Sequence, residues 1–571
     1  MARPPASPRA LAVARGDEPA DLLITGGRVF ADATREWIDT PLAIADGVVA
    51  GWGEREARER VDVDGAALTP GFVDAHMHLE STKLWIDEFV ATVLPAGTTA
   101  VAADPHELAN VLGMPGILAL IEAAAALPFT FAVYASSCVP ASSFERAGAA
   151  LDAGDIRALI ERHGALGVAE VMNFPGVIAG EAEMLDRVAA AGGLRVDGHI
   201  PGVTGPRLDA YIAAGIESDH ESTVLSEAEE KRRKGLWVFL RQGSASQNVA
   251  ALAPGIMAHG TDLAAFCTDD REPDTLIELG SVNDCARVAV AAGVSETDAL
   301  VLASTNPARY HGFTHLGSLG PGHQADVLAF AQLGSWSPDL VWQAGRRVAE
   351  AGRLLAGTVP AVPAPALLRD TVRIGRLPSP EELVLELPPG TRVRAVGVES
   401  HSLTTRRREI EVGAGGDLAH AAVVERHRGT GRVGRGFAAG FGLRRGAIAS
   451  TVAHDAHNCV VVGASGDDMA AAVARVAELG GGQVAVLDGE VVAEVPLPLA
   501  GLMSDRSAPE VAEALAALGA AAAARLGVTV EEPFMQLSFI ALSVIPELRL
   551  TDGGLVDVER FAYVPVEVEA G

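Results

Sequence analysis

Lysine is nearly missing from this chain: of 571 residues, only Lys83, Lys231 and Lys234 carry an ammonium side chain. With 45 Lys and Arg against 74 Asp and Glu, the formal charge is −29. A nucleic-acid partner is therefore not expected, since phosphate contacts need clustered basic residues. Cysteine is equally sparse. Cys138, Cys267, Cys285 and Cys459 lie far apart and form no CxxC pair, which excludes a thiolate zinc knuckle and fits a reducing compartment. No stretch of ~18 uncharged apolar residues occurs, so no membrane span is expected. The opening segment MARPPASPRALAVARGDEPAD has basic residues but no apolar core and no cleavage site. Secretion is not indicated, and a cytoplasmic location is expected.

What is present is apolar, mostly Ala, Val and Leu, at 49% of the chain. That supports more than one core, because single cores stop growing near ~250–300 residues. After an N-terminal extension (1–20), short strands and turns run through DLLITGGRVF and PLAIADGVVAGWG, with Asp46-Gly47 as a hairpin turn. From 67 to 307, strand-like runs alternate with Ala- and Leu-rich helical stretches, as in TTAVAAD before PGILALIEAAAAL. That alternation predicts parallel βα units, and eight of them make an α/β fold of the (β/α)8 barrel type. Short strands return in 308–358 and are expected to pair with 21–66 in one small β domain built from both flanks of the barrel. The Pro/Ala-rich AGTVPAVPAPALL then leads to 380–571, expected to be a C-terminal α+β domain.

The residues with the clearest chemistry are His76 and His78 in PGFVDAHMHLE. Side chains alternate along a strand, so two imidazoles at i and i+2 point the same way and can grip one divalent cation. Further ligands are expected at later strand ends. Glu170 ends GVAE, His199 follows RVDG, His220 follows GIESD, and Asp269 ends AFCTD. Each closes a short apolar run, which places all of them on the C-terminal rim, where barrel active sites lie. Imidazole and carboxylate together suit Zn, Mn or Fe and leave positions open for water and substrate.

The order HxH, acidic or lysine bridge, His, His, Asp resembles the amidohydrolase superfamily. Many of its members bridge two metals with a carbamylated lysine, and the three lysines here do not fall where that residue should be. The chain is similar to the bacterial adenine deaminase family in DAHMHLES, DPHELANVLG, GVAEVMNFPGVI, DGHIPG, SDHES, RQGSASQN and CTDDR. The likeness continues in GFGLRRGAIASTVAHDAHNCVVVG and PLAGLMS, from about 12 to 568. The resemblance implies a two-metal centre of Mn or Fe, with Zn as an alternative, held by His76, His78, Glu170, His199, His220 and Asp269. Glu170 would be the bridging carboxylate. It also implies hydrolysis of the 6-amino group of adenine to give hypoxanthine and ammonia, and a homodimer is expected.

Hydrolytic deamination needs a nucleophile from water at neutral pH, which a divalent metal supplies, and a group that moves a proton to the leaving nitrogen. Asp269 is expected to do the latter, with Asp270 pointing away and ordering the turn. Glu80, Asp104, His106, Arg241 and Ser244 are candidates for reading the purine. Glu221 and Cys138 are read as turn or packing residues. His454, Asp455 and His457 in AHDAHN either close over the barrel mouth, bind an extra cation or form a hydrogen-bonded turn. Two rival readings are a hydantoinase- or dihydroorotase-like enzyme, which normally carries the bridging lysine, and a noncatalytic scaffold, which should have broken ligands. The HxE and PCxxC zinc deaminases are excluded by cysteine spacing.

Overall fold

Eight short apolar runs become the parallel strands of a closed barrel in the computed structural model, which describes residues 6–400, 402, 404–413 and 416–568. The strands are Phe72–Met77, Thr98–Ala103, Thr130–Val133 continuing as Ala135–Ser136, Gly167–Val171, Arg195–Gly198, Ser218–Asp219, Trp237–Arg241 and Ala264–Cys267. Neighbours pair in parallel register. Between the fifth and sixth strands, Glu217 N–H donates to Val196 O at 2.9 Å. The ring closes where Asp269 N–H donates to His76 O at 2.9 Å and His78 N–H to Asp269 O at 3.2 Å. Strands such as TTAVAA are buried along their whole length because the barrel interior and the outer helices cover both faces. Helix boundaries follow local chemistry. Asp152 caps Ala153–His163 through Gly154 and Asp155 N–H, and Gly164 ends it at φ +75°.

The flanks meet in one sheet. Its order runs from Arg353–Leu354 through Arg346–Glu350, Leu340–Gln343, Val327–Phe330 and Ala67–Pro70 to Arg28–Ala31 and Glu36–Asp39. Ala67–Pro70 thus belongs to this sheet, and Pro70-Gly71 is the step into the barrel. A four-stranded sheet from Ala20 to Asp62 lies beside it. Of the expected N-terminal extension, residues 1–5 lie outside the described residues, and Pro8–Arg15 is a helix that buries Ala10 and Val13 on the small sheet. Beyond the linker, an eight-stranded sheet spanning Arg392–Pro496 carries the helix Gly466–Glu478. This C-terminal domain docks on the barrel's C-terminal rim. Ser504 N–H donates to Lys83 O at 2.8 Å, and Asn458 Nδ2 donates to Arg146 O at 3.0 Å. Among the described residues no helix is long and apolar enough to cross a membrane.

One lysine of the basic EEKRRKG run is not on the surface. Lys231, on the helix Leu225–Arg233, is fully buried. Its ammonium donates to Ile200 O at 2.7 Å, Asp219 Oδ2 at 3.0 Å, Ser222 Oγ at 3.0 Å and Glu227 Oε1 at 2.6 Å. It therefore ties the backbone beside His199 to the side chain beside His220. Lys231→Met should cost about 3–5 kcal/mol, the usual penalty for leaving buried carboxylates unpaired, whereas the more exposed Lys234→Met should cost under ~1 kcal/mol. Denaturant midpoints of the two variants check this.

Candidate metal centre and pocket

The strand ends bring His76, His78, Glu170, His199, His220 and Asp269 together, all buried. His76 Nδ1 lies 2.9 Å from Asp197 Oδ2, and His78 Nδ1 donates to Asp104 O at 2.8 Å. A carbonyl only accepts, so His78 carries its proton on Nδ1, and Asp197 holds His76 in the same tautomer. Both Nε2 lone pairs then face inward, 3.2 Å from each other. Two lone pairs at that distance repel unless a cation or proton lies between them.

Glu170, at the end of Gly167–Val171, divides its carboxylate between the two sides of the site. Oε1 is 3.4 Å from His78 Nε2 and 4.0 Å from His76 Nε2, while Oε2 is 2.9 Å from His199 Nδ1 and 3.2 Å from His220 Nε2. Asp269 Oδ1 is 3.0 Å from His78 Nε2. A left-handed backbone at Asp269, φ +56°, turns its carboxylate inward. Gly198 lets the fifth and sixth strands close up just before His199, since a Cβ there would lie 2.4 Å from Ser218 O. Electrostatics favour positive charge here. Burial lowers the proton affinity of His220, yet Glu170 first, then Asp269 and Glu221, raise its pKa to about 10.

The donor set fits divalent metal. His76, His78 and Asp269 have ligand atoms within 4.8 Å of one another, as do His76, Glu170 and His220. His199 Nδ1 and His220 Nε2 converge on one carboxylate oxygen, Glu170 Oε2, as two ligands of one ion would. Two carboxylates among four imidazoles match hard-to-borderline cations.

The other candidates separate by position. A small cavity opens on this cluster and is lined also by His106, Arg241, Glu221, Asp270 and Met172. Arg241 pairs with Glu221 and Asp269, and its Nη2 lies 3.2 Å from Asp270 Oδ2. Against the effect of burial, this guanidinium holds the Asp269 carboxyl well below the usual carboxylate range. Asp270 accepts from Ser81 and Arg241, so it orders the turn as expected but also borders the cavity. Asp104 stands behind His106. Its Oδ2 is 3.1 Å from His106 Nδ1 and accepts from Glu170 N–H at 2.6 Å, so it orients these groups rather than reading a ligand.

Glu80 and Ser244 do not reach the cavity. The strand stops at Met77, Glu80 opens a 3-10 turn, and its Oε1 accepts from Leu108 N–H at 2.8 Å as a helix cap. Burial, with Glu107 nearby, pushes the Glu80 carboxyl up to about 7. Ser244 Oγ accepts from Glu272 N–H at 2.9 Å and donates to Thr275 Oγ1 at 2.8 Å, in a separate cleft. Ser244→Ala should leave kcat/KM within about twofold and cost about 1 kcal/mol of stability for the lost bonds. Steady-state kinetics and a melting curve check both.

Sequence reasoning passed over Glu221, adjacent to His220 and 3.6 Å from its Nε2, and Asp197, which sets the His76 tautomer. Of the three readings open for AHDAHN, His454 and Asp455 take the position over the barrel mouth, lining the cavity with Phe539, Leu542 and Ile545 of the C-terminal domain. His457 turns away, accepting from Ala453 N–H at Nδ1 and facing Glu107 at Nε2.

Residues 67–348 match the amidohydrolase family, and residues 398–562 match the adenine deaminase C-terminal domain. The chain is 43% identical to adenine deaminase 2 of Carboxydothermus hydrogenoformans, over 97% of this chain and 98% of that one. It is 42% identical to adenine deaminase of Nitratidesulfovibrio vulgaris over the same shares. With adenine deaminase of Brucella melitensis it shares 41% identity, over 96% of this chain and 95% of the relative. With such identity along nearly its whole length, the chain belongs to the adenine deaminase family.

Proposed function

We propose that the chain hydrolyses adenine to hypoxanthine and ammonia at a two-metal centre bridged by Glu170. The observation that carries this reading is the Glu170 carboxylate, with one oxygen toward His76 and His78 and the other toward His199 and His220. That is the work of a bridging ligand, in a barrel without a lysine among the clustered ligands. His76, His78 and Asp269 would hold one ion, His199 and His220 the other, and Glu170 both. A carboxylate bridge favours manganese or iron over zinc. When bound, such ions acidify water and so supply a nucleophile at neutral pH.

The chain's own groups do the rest. Asp269, kept ionised by Arg241, accepts a proton from the attacking water and passes it to the 6-amino nitrogen, which leaves as ammonia. Arg241 pairs with Glu221, Asp269 and Asp270 through one guanidinium, so their orientation is set before substrate arrives. Asp197 and Asp104 keep the imidazoles turned inward. The apolar side chains of Met172, Leu542 and Ile545 limit water around the ring. Four buried free cysteines support a cytoplasmic setting.

The test is ammonia release by protein reconstituted with Mn(II), on adenine with adenosine, guanine and dihydroorotate in parallel. Turnover of adenine that a chelator abolishes and added Mn(II) restores is the expected result. Turnover of dihydroorotate in place of adenine would overturn the reading.

A further inference from the structure

The roof of the cavity comes from the C-terminal domain. His454 and Asp455 follow the strand Ala447–Ser450, while Phe539, Leu542 and Ile545 lie at and beyond the end of the helix Pro533–Phe539. Asp455 Oδ1 lies 3.6 Å from His106 Nε2 and 3.7 Å from His454 Nδ1, both beyond a good hydrogen bond. Asp455 Oδ2 has no hydrogen-bond partner, although the residue is only 1% exposed. A buried carboxylate oxygen left without a donor is costly to the folded chain. Asp455 lines the cavity, so a ligand bound there can bring the missing donor.

We infer that Asp455 accepts the imidazole-ring N–H of a free purine base and thereby selects base over nucleoside. The inference rests on the function proposed above and adds a residue that reads the substrate. A free purine carries one N–H on its five-membered ring; in a nucleoside that nitrogen is bonded to sugar carbon and offers no donor. An ionised carboxylate has acceptors only, so it pairs with the base and is left unpaired by the nucleoside. His106 sets the depth of the pocket. Its Nδ1 is 3.9 Å from Glu170 Oε1 and its Nε2 is 3.6 Å from Asp455 Oδ1, so one imidazole separates the metal-side carboxylate from the roof. A purine with its C6 edge toward Glu170 and Asp269 turns its five-membered ring toward Asp455. Met172, Phe539 and Leu542 offer apolar surface to the ring faces. Sites built to hydrogen-bond a substrate N–H reject analogues that lack it far more strongly than apolar pockets do.

The experiment compares adenine with 9-methyladenine in the Mn(II)-loaded full chain, as wild type, Asp455→Ala and Asp455→Asn. In Asp455→Ala, kcat/KM for adenine should fall about 10- to 100-fold, chiefly through KM, as for loss of a hydrogen bond to a charged group. The value for 9-methyladenine should stay level or rise, so the preference for adenine shrinks by the same factor. Asp455→Asn, which keeps the volume and one acceptor, should fall between the two and decides the matter if the alanine variant melts early. Parallel losses on both compounds, or an unchanged KM for adenine, would overturn the inference. If the wild type releases no ammonia from adenine, the functional reading fails. Calorimetry then decides the inference separately: adenine binding weakened about 10- to 100-fold by Asp455→Ala supports it, and unchanged binding removes it.

Discussion

Glu170→Gln is expected to lower ammonia release from adenine on the order of 10³-fold and to reduce the metal retained per chain. The glutamate touches four imidazoles with two equivalent anionic oxygens. Glutamine keeps the shape but offers one neutral oxygen and, in place of the other, an amide that donates only. Whichever way the amide turns, one pair of histidines faces a donor where a ligand should be. Loss of metal assistance costs several kcal/mol of transition-state stabilisation, and each ~1.4 kcal/mol is tenfold in rate. The fold should survive, because both histidine pairs are held from behind by Asp197, Asp104 and the Lys231 network. Metal analysis beside steady-state rates, with a melting curve as control, checks the prediction. Wild-type metal content with a near-normal rate would remove Glu170 from the centre.

Asp269→Asn should lower kcat by about 10²–10⁴-fold, the usual worth of a positioned proton carrier, with a smaller change in KM. Asparagine can still accept from Arg241, but it cannot take and return a proton. Asp270→Asn is the matched control. Its carboxylate meets Ser81 and Arg241 rather than the inward-facing imidazoles, so its loss should disturb orientation and reduce kcat by about tenfold or less. Equal effects of the two substitutions would mean that the proton carrier is not Asp269.

Six clustered residues were legible because each obeys a local rule. His76 and His78 share a strand face, and Glu170, His199, His220 and Asp269 each close an apolar run, which in a parallel barrel means the same rim. The misplacements come where local rules stop. Glu80 stands two residues beyond His78, but the strand has already ended at Met77, so alternation no longer says where a side chain points. Ser244 lies past Arg241 in a loop folded back by a Gln242–Gln247 bridge, and nothing in RQGSAS tells which side chain faces the cavity. Lys231 reads as one of a charged run, and only the packing of its helix against two strand ends buries it. His454 and Asp455 drew notice as an unusual cluster. Their place over the site depends on a domain docking across some 300 residues of sequence, which no local period encodes.

The number of metals that activity requires distinguishes a bridged two-metal centre from a single-ion site. Metal-free protein titrated with Mn(II), while ammonia release from adenine is followed, should gain activity up to a plateau at about two equivalents per chain. In Glu170→Gln the same titration should show no comparable rise. A wild-type plateau at one equivalent, or a variant that reaches full activity at two, would contradict the bridged centre.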